Sequence, residues 1–293
     1  MSFDRPSRLP AARAAIRSSA LLGCLAFCAL TGVAASAGAQ DLDGFSPEPG
    51  HGDVAFSLNF DSYDRFWVGN QKVFEPALGT VDTFSASLWW RHGLSERFTI
   101  VATVPYVDVD GDGTANLSDS GAQDLSAFLQ YRAWSAELGS ARHSIAFAAG
   151  FRTPVGSYEA DLPISLGDDT TDALVRAIWL VQLGRWYVST QTGWDVRGDD
   201  APDGLPLALT AGRSFGRVTP SVTWYRYWAD GGTDIGDPGF TFPSNKDEFE
   251  RLGAKVYARL TSSFGISVGG FTTLDGRNSG DTDGYAAGIV WSY

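Results

Sequence analysis

The sequence predicts an all-β fold: a transmembrane antiparallel β-barrel of about twelve strands, with short periplasmic turns and long outer loops. Three observations carry this prediction. Alternating segments occur in an even number, long acidic connections alternate with short ones, and each strand separates an apolar face from a charged one. A bacterial barrel closes on an even number of strands, and about nine to eleven tilted residues carry each strand across the hydrocarbon layer.

Residues 1–39 read as a secretory signal peptide. Arg5, Arg8, Arg13 and Arg17 precede an Ala/Leu-rich run from about Ser18 to Ala37, and the small-x-small site Ala37-Gly38-Ala39 places cleavage near Ala39/Gln40. Export through such a leader puts the chain in the envelope of a Gram-negative bacterium, with the outer membrane as its expected location. Both cysteines, Cys24 and Cys28, lie inside the leader, so the mature chain is expected to have no disulfide, thiolate nucleophile or cysteine metal site. The mature chain carries 18 basic and 33 acidic residues, a net charge of −15, which excludes a phosphate-tracking nucleic-acid surface.

Residues 40–52 form a short periplasmic lead-in, and residues 53–293 the barrel. Period-two alternation marks twelve segments, at about 53–60, 82–91, 97–107, 122–133, 143–153, 172–183, 186–196, 205–214, 218–229, 249–260, 264–274 and 284–293. Each even-numbered connection is shorter than both of its neighbours. The six longer connections hold 22 of the 33 mature acids against five basic residues, so the outer surface is expected to be strongly negative.

The faces of the segments supply the third observation. In the tenth, Leu252, Ala254, Val256, Ala258 and Leu260 share one side while Arg251, Lys255, Tyr257 and Arg259 share the other. A charge on the lipid face costs several kcal/mol near the bilayer midplane, so the first set is expected to face outward. The same split turns Val175, Ala177, Trp179 and Val181 out and Arg176 in. The ninth segment is less regular, because Arg226 shares parity with Val222, Trp224 and Trp228; a bulge, or Arg226 snorkelling at the outer rim, would reconcile it. The last segment ends on the aromatic carboxyl terminus, with Tyr285, Trp291 and Tyr293 on one face. That face has the composition of an insertion signal for the barrel assembly machinery, with outer-membrane lipid and lipopolysaccharide as its surroundings.

Candidate chemistry is sparse. His51, His92 and His143 are placed at the periplasmic ends, away from the outer leaflet where a lipid hydrolase would need a histidine, and no catalytic residue is assigned. No cofactor is expected. Asp108, Asp110, Asp112, Asn116 and Asp119 occupy positions one, three, five, nine and twelve of a calcium-type loop with Gly113 at six. The flanks read as strands, however, and position twelve lacks the bidentate Glu. The competing reading is a solvated acidic loop, bridged weakly to lipopolysaccharide by divalent cations.

The inward basic set is Arg91, Arg132, Arg152, Arg176, Arg213, Arg251, Lys255 and Arg259, joined by Tyr257. It forms either an anion-favouring constriction or, with Asp53, Asp124, Asp172 and Asp195, a salt-bridged network that closes the lumen. Trp89, Phe128, Tyr187, Tyr225 and Tyr257 are expected to point inward and narrow the bore.

Several phrases carry a family resemblance: Arg91-His-Gly-Leu-Ser-Glu-Arg-Phe98 followed by Val101-Ala-Thr-Val-Pro-Tyr106, Ser120-Gly-Ala-Gln-Asp124-Leu leading to Gln130-Tyr-Arg132, and Gly150-Phe-Arg-Thr-Pro154-Val-Gly156. Over about residues 82–293 the chain resembles the outer-membrane family named for the MetA pathway of phenol degradation. The resemblance implies an outer-membrane barrel that helps small hydrophobic or aromatic solutes across. Two other readings remain: a non-transporting surface anchor with a sealed lumen, and an outer-leaflet lipid hydrolase.

Overall fold

The computed structural model describes residues 42–158, 164–167, 169–199 and 201–293. The expected leader and its cleavage site lie outside them. The described strands are β1 (Gly52–Tyr63), β2 (Phe66–Val68), β3 (Gln71–Val73), β4 (Val81–Gly93), β5 (Phe98–Gly111), β6 (Ser118–Ala122), β7 (Asp124–Leu138) and β8 (Ala141–Pro154). They continue with β9 (Asp172–Leu183), β10 (Trp186–Val196), β11 (Asp203–Arg213), β12 (Val218–Asp230), β13 (Glu248–Arg259), β14 (Phe264–Arg277) and β15 (Asp283–Ser292).

Twelve of these strands close a ring in which every pairing is antiparallel. Each pairs with its neighbour in sequence, and β1 completes the circle by pairing with β4 on one side and β15 on the other. The remaining three are extensions at the outer end: the β2–β3 hairpin, and β6, which folds back along the upper half of β5. Backbone pairing thus continues above the membrane, which is why several strands run longer than their alternating segments.

Alternation decides what each face meets. Along β9, Asp172, Leu174, Arg176, Ile178 and Leu180 are buried, whereas Ala173, Val175 and Trp179 are exposed. Around the outside, Val175, Trp179, Leu209, Leu252, Val268 and Ile289 keep 40–56 % of their surface exposed. An apolar belt this continuous has no place in water, where exposed apolar patches stay small. Lipid is its solvent, and each large side chain gains about 1.5–3 kcal/mol on leaving water. The inside, by contrast, buries Asn59, Ser126, Gln130, Arg152, Arg176 and Asp195.

Two irregularities adjust the register. Ala133 is the extra residue between the β7 pairs at Arg132 and Trp134, and Leu274 is the extra residue of β14 opposite Glu250 and Arg251. The β12 register is unbroken against both neighbours through Tyr227, so no bulge turns Arg226 inward. Arg226 stays on the outer face, where its Nη1 donates to Glu250 Oε2 and Asp275 Oδ2, both at 3.1 Å. Trp224 adds a 2.9 Å bond from Nε1 to Glu250 Oε1. Neutralisation by two acids, rather than snorkelling alone, makes the outward arginine tolerable.

Pro105 sits where β5 changes partner. Pairing with β7 ends at Thr103↔Ser126 and pairing with β6 begins at Tyr106↔Ala122, so the missing N–H falls in the gap.

Candidate functional site

The site is the lumen, a cavity of about 1550 Å³ lined from the periplasmic turns at Gly184 and Ser214 to the outer loops at Glu75 and Phe242. Its two sides differ in construction. One, made by β4–β10, is packed and salt-bridged; the other, made by β11–β15 with β1, is more open, lined by small polar side chains and by an aromatic cluster on β12 and β13.

The packed side receives the chain's own N-terminal segment. The sequence places residues 40–52 in the periplasm; instead, Leu42–Ser46 lies inside the barrel. Leu42 is 3 % exposed and packs in one apolar cluster with Val101, Phe128, Ala146, Ala148, Leu174 and Ile178, against half-buried Trp89. Its amide donates to Gln191 Oε1 at 2.9 Å. Asp43 takes the Arg91 guanidinium at 3.1 Å, Phe45 meets Tyr187 edge to face at 5.3 Å, and Gln130 Nε2 donates to Ser46 Oγ at 3.3 Å. A wall that is apolar at Leu174 and Ile178 explains the entry: one leucine between two acids finds dry surroundings there.

Above that cluster runs the network of charges. Arg176 Nη1 lies 2.5 Å from Asp195 Oδ1, with both side chains at most 3 % exposed. Arg152 Nε donates to Asp172 Oδ2 at 2.8 Å and lies 3.9 Å from Asp124 Oδ2. Asp172 also accepts from Thr170 Oγ1 at 2.7 Å and from the Gly198 amide at 3.2 Å, and Arg197 Nε lies 3.8 Å away. At the outer end of the network, Tyr158 Oη donates to Asp124. Desolvated charges survive only when bonded in this way. In the loop beyond β10, burial pulls the Arg197 guanidinium below its ordinary value.

On the open side, Ser57, Ser221, Thr223, Ser267, Gly269 and Val290 line the cavity. Two cations of β13 face it, Arg251 and Lys255, and among the described residues neither has a carboxylate within ion-pair distance. The Arg251 guanidinium is wedged against Phe249 at 4.3 Å and Phe271 at 4.8 Å.

The outer mouth is narrowed by three loops joined at Asn278, which is 6 % exposed with φ +51°. Its Oδ1 accepts from the Gly69 amide at 2.8 Å and the Ile235 amide at 3.1 Å, and its Nδ2 donates to Asp234 Oδ1 at 2.8 Å and the Lys246 carbonyl at 2.9 Å. Arg277 grips the same Asp234 through Nε at 2.8 Å and Nη2 at 2.7 Å. These bonds, chiefly from Arg277, hold the Asp234 carboxyl down to about 2.

Of the inward basic set, the cavity is lined by Arg91, Arg152, Arg176, Arg251 and Lys255, together with Tyr257. The other three are elsewhere. Arg213 shares the outward face of β11 with Leu209 and Ala211, and its guanidinium covers the Trp186 ring at 4.9 Å and the Phe215 ring at 4.6 Å. The strand ends at that position, and stacking on two outward rings replaces the expected place in the lumen. Arg132 bonds the Glu96 carbonyl of a periplasmic turn, and Arg259 is exposed at the same rim. All five inward aromatics expected, Trp89, Phe128, Tyr187, Tyr225 and Tyr257, line the lumen.

The five calcium-loop candidates do not converge. Asp108 and Asp110 lie along β5, Asp119 along β6, Asp112 Oδ1 accepts the Thr80 amide at 2.6 Å, and Asn116 occupies the turn. Extended strands hold successive carboxylates on a line, not around a point. Among the described residues, no three histidine, cysteine or acidic side chains are grouped to hold a metal.

At the periplasmic end, Trp291 faces outward, as Tyr285 does further along the same strand, and Tyr293 reaches across β1 to β4. Its Oη accepts from Trp90 Nε1 at 2.9 Å and meets His92 Nδ1 at 3.1 Å. His143 stacks on outward Trp179 at 5.9 Å, and His51 Nδ1 lies 3.3 Å from the Pro49 carbonyl. Sequence reasoning missed Leu42, Asp43 and Asn278. Leu42 alone carried a signal, as an isolated apolar residue between acids.

A closed ring of twelve antiparallel strands with an apolar exterior and a charged lumen defines a transmembrane barrel of the outer-membrane type. Residues 64–289 match the family described as "Putative MetA-pathway of phenol degradation", and the chain belongs to that family. Among solved structures, the COG4313 outer membrane channel from Pseudomonas putida F1 shares the fold at TM-score 0.69 and 15 % identity, covering 87 % of this chain and 100 % of that one. More distant are the translocator domain of the autotransporter NalP from Neisseria meningitidis (TM-score 0.49, 11 % identity, 97 % and 96 % covered) and the outer membrane phospholipase A from Escherichia coli (0.46, 10 %, 82 % and 90 %). No curated protein matches the chain.

Proposed function

We propose that this barrel is a channel of the bacterial outer membrane for small solutes with an apolar or aromatic body. The observation that carries this reading is the asymmetry of the lumen: the N-terminal segment and the ion network fill one side, while the cavity of about 1550 Å³ continues past them to both ends. Its lining supports an apolar solute. Phe249, Tyr225 and Tyr227 form one cluster, and Val107, Val109 and Leu166 another, both lining the cavity. The Pseudomonas putida protein that shares the fold is an outer membrane channel, which supports the same reading. Export by the N-terminal leader, and recognition of the last strand by the assembly machinery, belong to this proposal.

The surface-anchor reading draws on the same network, because bonded arginines and a docked segment also seal half a bore. Purified barrel in liposomes separates the two. The channel reading requires that small aromatic solutes enter faster than into empty liposomes; permeation equal to that of empty liposomes would leave the anchor.

A further inference from the structure

Most of the lumen's buried arginines are bonded to acids, and Arg251 is not. Its Nε and Nη1 are enclosed without a hydrogen-bond acceptor, and among the described residues no carboxylate lies within ion-pair distance. Close by, Asp247 Oδ1 and Tyr225 Oη are also enclosed without partners. All three residues line the outer part of the cavity, with Phe249 and Phe271 against the guanidinium. An arginine held between two phenyl rings keeps its charge and loses its water, which makes it a strong point for an anion that brings its own apolar body.

The charged and titratable groups around it limit what that anion is. Arg251 feels Asp61, Asp247 and Tyr225; Asp247 feels Arg251, Arg197, Glu248, Tyr63 and Tyr227. With Asp61 and Asp247 both ionised, the group around Arg251 is already net negative and repels an anion. With one proton added, the site is neutral and accepts a single negative charge. Asp61 accepts from the Thr83 hydroxyl whereas Asp247 Oδ1 has no donor, and burial pushes the Asp247 carboxyl up to about 6, so the added proton is assigned to Asp247 as the pH falls towards 6.

We propose that Arg251, Asp247 and the Phe249 ring form a binding site for the carboxylate of a small aromatic or aliphatic acid, and that one proton is taken up as the carboxylate binds. Arg251 donates to one side of the ligand carboxylate, and the protonated Asp247 donates to the other. Tyr225 Oη is placed to complete the set. The ligand's apolar body then lies against the Phe249 ring, with Phe271 buried behind the guanidinium. This site rests on the channel reading for its purpose, since it would select which apolar solutes are admitted.

The test compares benzoate with benzamide, an uncharged molecule of the same shape, by calorimetric titration of the refolded full-length mature barrel. Wild type is expected to bind benzoate at least about tenfold more tightly than benzamide at pH 5.5. Its affinity for benzoate is expected to fall about tenfold between pH 6.5 and 7.5. Arg251→Gln should remove the preference for benzoate over benzamide. Asp247→Asn, on a loop and compatible with folding, should hold benzoate affinity constant from pH 5.5 to 7.5. Equal binding of the two probes by wild type, or an unchanged pH profile in Asp247→Asn, would overturn the site. Liposome permeation run in parallel keeps the two readings apart. If benzamide and benzoate permeate alike through wild type and Arg251→Gln, the channel stands and the site falls; if benzoate binds as described but neither probe permeates, the site stands and the channel falls.

Discussion

At the scale of single residues, the buried pair Arg176–Asp195 and the glycine opposite it form a tightly constrained group in the wall. Gly193 is the register partner of Arg176, and a Cβ there would collide with the Val175 carbonyl and lie 2.8 Å from Arg176 Cδ. Removing one charge leaves the other buried without compensation, at a cost of about 3–5 kcal/mol. Asp195→Asn is therefore expected to lower the folded barrel's resistance to urea by about that amount in gel-shift unfolding. The two loop carboxyls respond to pH in opposite senses. Asp234, held at about 2, contributes stability that is present above its ordinary value of 3.8 and is lost as the pH falls through 2. Asp247, raised from 3.8 to about 6, contributes stability that is full below 3.8 and is lost as the pH rises through 6. Asp247→Asn should thus be more stable than wild type at pH 8, by at most about 3 kcal/mol, and equally stable at pH 4, as read from urea unfolding at the two pH values.

At the scale of elements, three short pieces control the ends of the barrel. The segment Leu42–Ser46 holds the packed side through one buried leucine, one ion pair, one ring contact and two hydrogen bonds. Leu42→Asp puts a charge among Phe128, Leu174 and Ile178, and is expected to expel the segment and raise single-channel conductance without loss of the β-sheet signal. At the seam, Gly52 leaves room for the C-terminal ring, since a Cβ would collide with the Arg91 carbonyl and stand 2.8 Å from Tyr293 Oη. Gly52→Ala is expected to reduce the yield of folded barrel, read from heat-modifiable gel mobility. At the outer mouth, Asn278→Ala removes bonds to two other loops and should speed proteolytic nicking there while the wall stays intact.

At the scale of the whole molecule, the wall and the inward aromatics and ion pairs were legible in the sequence, and the segment and loops that fill the lumen were not. Period-two alternation reports which face meets lipid, because one charge such as Arg176 among Val175, Ala177 and Trp179 fixes the sense of a whole strand. Arg226 stands as the exception to that pattern, since the two acids that neutralise it lie on β13 and β14, far away in sequence. What fills a lumen is set by contacts of long sequence separation. Leu42 meets Gln191 and Asn278 meets Gly69 through pairings that no local pattern encodes. The acidic calcium-like run failed for a related reason: the chain there continues as a hairpin, so ligands spaced for a tight loop are drawn out along two strands. Transport depends on a lumen that passes solute along its unfilled side. Liposome swelling with purified barrel measures this directly. Entry of a small aromatic solute several times faster than into protein-free liposomes, and faster still with Leu42→Asp, is the predicted result; swelling indistinguishable from protein-free liposomes for both proteins would contradict it.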